Sequence, residues 1–146
     1  MEKTEPSALR VLILCTGNSA RSQMGEGLLR RLAGSRVEVA SAGIDPAFVR
    51  PAAIAAMREI GIDISDQRSK SVDEFRGQPF DYVITVCDNA NEHCPIFSGP
   101  SRRIHWSLAD PAAIEGNDEQ ILSAFRHARD ELSERLIAFL NELDAE

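Results

Sequence analysis

The sequence predicts an α/β domain built on a mostly parallel sheet, and three observations predict it. Short β-branched runs alternate with segments of helical periodicity along the chain. The two strongest runs, 11–14 and 80–86, are largely apolar, as strands buried on both faces are. The chain closes on a long amphipathic stretch, 118–143, with apolar residues at 121, 125, 128, 132, 136, 139 and 143, in steps of three and four. In parallel sheets ligands bind beyond the carboxyl ends of the strands, where the strand order reverses. Cys15, Cys87 and Asp110 each follow a predicted strand end.

Met1 to Arg10 is polar, carries Pro6 and reads as a frayed lead-in, which leaves 11–146 as one domain. Val11 to Leu14 is the first strand, and Ser22 to Leu32 a helix whose Gly25 and Gly27 invite close packing. Val37 to Ala40 alternates as a second strand and ends in the turn Ser41-Ala42-Gly43. Pro51 opens a helix at a favoured first position, and Gly61 caps it. A short extended piece at 62–64 and one helical turn at 72–75 lead to the strand 80–86, and a fourth strand is predicted at 104–108.

Composition excludes several classes. A net charge of −7 argues against nucleic acid as a partner. No 18-residue apolar run and no basic-apolar leader is present, so neither a membrane span nor export is expected. Three cysteines, an odd number, point to reduced thiols in a cytoplasmic protein.

Residues 15–22, Cys-Thr-Gly-Asn-Ser-Ala-Arg-Ser, join the first strand to the first helix. A tight strand-to-helix loop leaves several backbone N–H groups converging on one spot, and the helix N-terminus adds about half a positive charge. Gly17 and Asn18 suit the left-handed backbone angles of such a nest, and Arg21 supplies a planar fork for two oxygens of a tetrahedral oxyanion. Cys15 sits at its mouth, where dipoles and the guanidinium stabilise a thiolate. The oxyanion set is therefore Cys15, Thr16, Gly17, Asn18, Ser19, Ala20, Arg21 and Ser22, with Cys15 as nucleophile.

Cys87 and Cys94 lie seven residues apart. In a continuous helix that is about 10.5 Å of rise, too far for a disulfide without unwinding. The polar segment between them is weakly helical and permits that unwinding. Cys87, His93 and Cys94 lack the close Cys-x-x-Cys pairs of zinc sites, so no metal is expected.

The Cys15-x5-Arg21 signature resembles the low-molecular-weight tyrosine phosphatase superfamily, whose fold is a three-layer sandwich around a central, mostly parallel four-stranded sheet. The phosphatase branch follows its Asp-Pro with tyrosines, but Asp110-Pro111 is followed by Ala112-Ala113. Cys87-Asp-Asn-Ala-Asn-Glu-His-Cys94-Pro95, together with His105-Trp106-Ser-Leu-Ala-Asp110-Pro111, is similar to the thioredoxin-coupled arsenate reductase branch. That resemblance implies arsenate reduction with Asp110 as general acid and a Cys15–Cys87–Cys94 disulfide relay, without a bound cofactor. Electrons would come from thioredoxin, and ultimately from NADPH through thioredoxin reductase. A phosphatase with a redox-protected nucleophile and a non-catalytic oxyanion sensor remain the rivals. In related reductases a potassium ion sits behind the loop, held partly by residues matching Asn18, Glu26 and Ser41. Lys70 stands where another acidic ligand is expected, so its ammonium is expected to replace the ion.

Overall fold

The computed structural model describes residues 8–94, 97 and 101–145. Four strands, β1 (Leu9–Cys15), β2 (Val37–Gly43), β3 (Tyr82–Thr85) and β4 (Arg102–His105), form one sheet in the order β2-β1-β3-β4. All neighbouring pairs are parallel, and β1 pairs on both sides, Leu12 with Ala40 and with Val83. Val11 to Leu14 are at most 1% exposed, so both faces of β1 are covered by other layers. The helices are α1 (Arg21–Ala33), α2 (Pro51–Arg58), α3 (Asp88–Glu92) and α4 (Asp118–Asp144). The α/β sandwich predicted from the sequence is the fold observed.

Strand boundaries differ from the sequence reading. β2 runs on to Gly43, because Ser41, Ala42 and Gly43, expected as a turn, continue the parallel ladder with Ile13, Leu14 and Cys15. β1 begins at Leu9, not Val11, because Leu9 and Arg10 continue the register with Val37 and Glu38. The Arg10 N–H also donates to the Asp81 carboxylate. Residues 1–7 of the predicted lead-in lie outside the described residues, as does Pro95 of the second cysteine motif. The central strand 80–86 is shortened to Tyr82–Thr85, although Val86 N still donates to Leu14 O. The fourth strand lies two residues earlier than 104–108, since its ladder with β3 runs from Arg102 to His105. Beyond it, alternation no longer reports a strand: Trp106 N bonds Thr85 O, and the chain then leaves the sheet toward Leu108.

α4 buries Phe125, Leu132, Leu136 and Phe139, each worth about 1.5–3 kcal/mol relative to exposure. Its start is fixed by a reciprocal capping box between Asn117 and Gln120. Arg129 ties it to α2 through the Ala56 carbonyl, and Arg126 through Glu59. Gly27 of α1 has no room for a side chain: a Cβ there would stand 2.7 Å from Ile64 Cγ2. The close packing it permits is therefore against the 62–64 segment and α2, while Gly25 meets Ile13 of the sheet and Leu132 of α4. These contacts clamp α1, and so fix the loop that feeds it.

Candidate active site

The loop from Cys15 to Ala20 is held from outside by its carbonyls. Ile44, Asp45, Ala47 and Arg50 donate their backbone N–H groups to the carbonyls of Cys15, Thr16, Gly17 and Ser19 at 2.8–3.2 Å. The Asn18 carbonyl accepts from Gln23 Nε2. With the carbonyls so occupied, the N–H groups of residues 17–20 have no protein acceptor among the described residues. Ala20 precedes α1 without a side-chain cap, so the first-turn N–H groups are also left for a ligand. The anion nest expected from the sequence requires N–H groups left in this way.

Asn18 alone takes the left-handed backbone, at φ 46°, whereas Gly17 does not need it. The Asn18 amide pays for that angle with four contacts. It donates to Ser22 Oγ at 2.7 Å and Ser41 Oγ at 3.0 Å, and accepts from Lys70 N and Gln23 Nε2. Gly43, at the end of β2, lets the loop settle onto the sheet, since a Cβ there would lie 2.6 Å from Thr16 O. Gln23, fully buried, is the loop's second anchor. The sequence reading missed it, though an uncharged polar side chain beside Met24 on a core-facing turn is the signal.

Cys15 is 2% exposed, and its Sγ lies 2.8 Å from Ser22 Oγ. A cavity of about 190 Å³ is lined by residues 15–17 and 19–21, with Arg50, Asp110 and Ala112 among its other walls. Arg21 donates to Leu108 O at 3.0 Å, and its Nη2 is 3.7 Å from Asp110 Oδ2. Asp110 also accepts from Ala112 N, which fixes the other carboxylate oxygen. Ala112 therefore stands at the wall next to Asp110, with no aromatic ring there.

Cys87, buried just past β3, comes to the same place from the neighbouring strand. Its Sγ is 3.3 Å from Thr16 Oγ1, and Ala90 N donates to it at 3.4 Å. α3 ends at Glu92, so Cys94 lies past the helix and not on it. Cys94 is half-buried, and burial pushes its thiol above the usual range while the Arg103 charge opposes that shift. All three cysteines are free thiols.

A polar chain that the sequence did not reveal braces α3. Thr85 Oγ1 is 2.7 Å from His105 Nδ1, and His105 Nε2 is 2.8 Å from Asp88 Oδ1. That hydrogen bond to His105, with a second to Ser107, holds the Asp88 carboxyl below its usual value.

Behind Asn18, the Glu26 carboxylate accepts from Ser41 and pairs with Arg30 and with Lys70 Nζ, the latter at 3.7 Å. Burial lowers the Lys70 pKa, and attraction to Glu26 opposes the shift. The donor set does not fit a potassium ion, because an ammonium already stands beside the carboxylate such an ion would need.

Comparison with known proteins places this geometry. Residues 10–146 match the family described as low molecular weight phosphotyrosine protein phosphatase. An arsenate reductase of Halalkalibacterium halodurans is 45% identical over 129 residues, covering 88% of this chain and 93% of that protein. A solved arsenate reductase in its phosphate-binding state aligns with a TM-score of 0.71 at 33% identity, covering 92% of this chain and 98% of that one. A thioredoxin-dependent arsenate reductase of Corynebacterium glutamicum aligns with a TM-score of 0.65 at 29% identity, covering 92% of this chain and 65% of that one. With a match over nearly its whole length and the cysteine-to-arginine loop at its centre, the chain belongs to the low molecular weight phosphotyrosine protein phosphatase family.

Proposed function

We propose that this protein is a cytoplasmic arsenate reductase that works by a three-cysteine relay and serves arsenic detoxification. The observation that carries the reading is the 3.3 Å contact between Cys87 Sγ and Thr16, the residue after the nucleophile. Hydrolysis itself needs no second thiol there, whereas two-electron reduction does. The absence of an aromatic wall at Ala112 supports the same choice.

The loop N–H groups and Arg21 hold the tetrahedral anion, and Cys15 thiolate attacks arsenic. Asp110 gives its proton to the departing oxygen, which leaves as water. Cys87 thiolate then attacks Cys15 sulfur. The S–S bond forms, the As–S bond breaks with its electron pair going to arsenic, and arsenite departs. Two thiols thus supply the two electrons that arsenic(V) needs. Cys94 attacks Cys87, frees Cys15 and moves the disulfide to the half-buried position outside α3. A thioredoxin dithiol reduces that disulfide and draws its electrons ultimately from NADPH; the chain itself needs no bound cofactor.

The test is arsenite production with purified thioredoxin, thioredoxin reductase and NADPH. Wild-type protein turns over repeatedly, whereas Cys94→Ser stops after one turnover and keeps its weak hydrolysis of an artificial phosphoester. Repeated arsenite production by Cys94→Ser, or none by the wild type, overturns the relay.

A further inference from the structure

We propose that Arg50 is a second anion-holding guanidinium of the Cys15 cavity, which suits the site to a doubly charged tetrahedral oxyanion. This rests on the reading of that cavity as the oxyanion site, and it names a residue that the Cys15-x5-Arg21 signature does not contain.

Two arginines and one carboxylate line the cavity: Arg21, Arg50 and Asp110. Arg21 is already engaged by the protein, through Leu108 O and Asp110. Arg50 is not. Its Nε is buried and has no hydrogen-bond partner among the described residues. Its guanidinium rests on the ring of Phe48, 5.1 Å from the centroid. A buried N–H of a charged group without an acceptor is costly. The buried Nε is closed to a ligand as it is to water, so the donors that Arg50 offers an oxyanion in the cavity are its Nη groups.

The backbone makes the placement rigid. Arg50 N donates to Ser19 O at 2.9 Å, which stitches this residue to the nucleophile loop. Arg50 takes the extended conformation required before a proline, φ −69° and ψ 136°, and Pro51 then opens α2. The aromatic platform of Phe48 holds the guanidinium by its face and leaves its edge for oxygen acceptors. Of these supports, the backbone bond and the pre-proline conformation are independent of the side-chain charge.

Charge accounting points the same way. The chain carries a net −7, so only local cations can gather an anion here. When Asp110 holds the proton it must donate, the cavity presents two guanidiniums and no ionised carboxylate. That matches a dianion. With Arg21 alone, the second charge would be met by backbone dipoles only.

The experiment compares wild type, Arg50→Met and Arg50→Lys. Inorganic phosphate is used to protect Cys15 from iodoacetamide, a neutral reagent, and modification is followed by mass spectrometry of the Cys15 peptide. Arg50→Met needs about tenfold more phosphate for half-protection, equivalent to about 1.4 kcal/mol. KM for arsenate rises by a similar factor, while kcat changes by less than about twofold. Arg50→Lys recovers part of the loss, and the melting temperature stays at the wild-type value. Equal half-protection in Arg50→Met and wild type overturns the assignment, as does a loss of kcat and stability with phosphate protection unchanged. If phosphate fails to protect even wild-type Cys15, the oxyanion cavity itself is refuted and Arg50 falls with it; equal protection in both proteins removes Arg50 alone.

Discussion

Lys70 Nζ lies 3.7 Å from Glu26 Oε1, and the two side chains are only 11% and 8% exposed. The pair stands behind Asn18, whose side-chain Oδ1 accepts from the Lys70 backbone N–H. One residue therefore supports the loop by main chain and side chain together. Lys70→Met should cost about 2 kcal/mol of stability, since Glu26 keeps Arg30 as its remaining cation. Chemical denaturation measures that loss. Replacing sodium by potassium at constant ionic strength should leave wild-type arsenate reduction unchanged; a severalfold rise would mean that the ammonium does not fill the cation's place.

Asp110→Asn should separate proton donation from structure. Asparagine can still accept from Ala112 N, so the turn at Pro111 keeps its cap and the melting temperature should barely move. The first chemical step loses its acid and should slow by about 10²–10⁴-fold. Single-turnover arsenite release, read by rapid quench, measures the effect. An unchanged rate would remove Asp110 from the mechanism.

The transfer of the disulfide from Cys15–Cys87 to Cys87–Cys94 should speed up as pH rises through and past the ordinary thiol range. Burial holds Cys94 above that range, so near neutrality the attacking sulfur is mostly protonated. Arg103→Met removes the charge that opposes this shift and should move the rate profile to still higher pH. Stopped-flow measurement of Cys15 release, at a series of pH values, reports both outcomes.

Glu59 gives an acid-side prediction. The Arg126 hydrogen bond first, and Arg129 after it, lower its pKa from 4.5 to about 2 in the folded protein. A carboxyl depressed in this way contributes stability that is present above its unfolded value and is lost as pH falls through the folded one. Stability should therefore decline between pH 4.5 and about 2 as this carboxyl protonates. Glu59→Gln should show a shallower decline over the same window by denaturant titration. Matching slopes would show that the bridge from α2 to α4 is inert.

How much of this was legible beforehand follows from the range of each interaction. The loop after β1 could be read because its chemistry is local: nucleophile, nest and Arg21 fall within seven consecutive residues. Cys87 and Asp110 could be placed near it because parallel strands end on one edge. Arg50 escaped notice because a proline and an alanine-rich helix follow it, and nothing nearby in sequence marks it as a cavity wall. The Thr85–His105–Asp88 chain escaped because it needs the β3–β4 pairing of Thr85 with His105, and nothing in the sequence sets that pairing. Alternation reports burial of a side chain; it does not say whether the backbone beneath it is still paired.

The adjacency of β1 and β3 has a consequence for how such chemistry can diversify. The first two sulfurs are spaced by the sheet's own lattice, with Leu14 registered against Thr85, one residue before Cys15 and two before Cys87. A second thiol past β3 thus reaches the nucleophile loop without any change to the loop itself, so electron transfer can be added to this frame by positions that lie on a different strand.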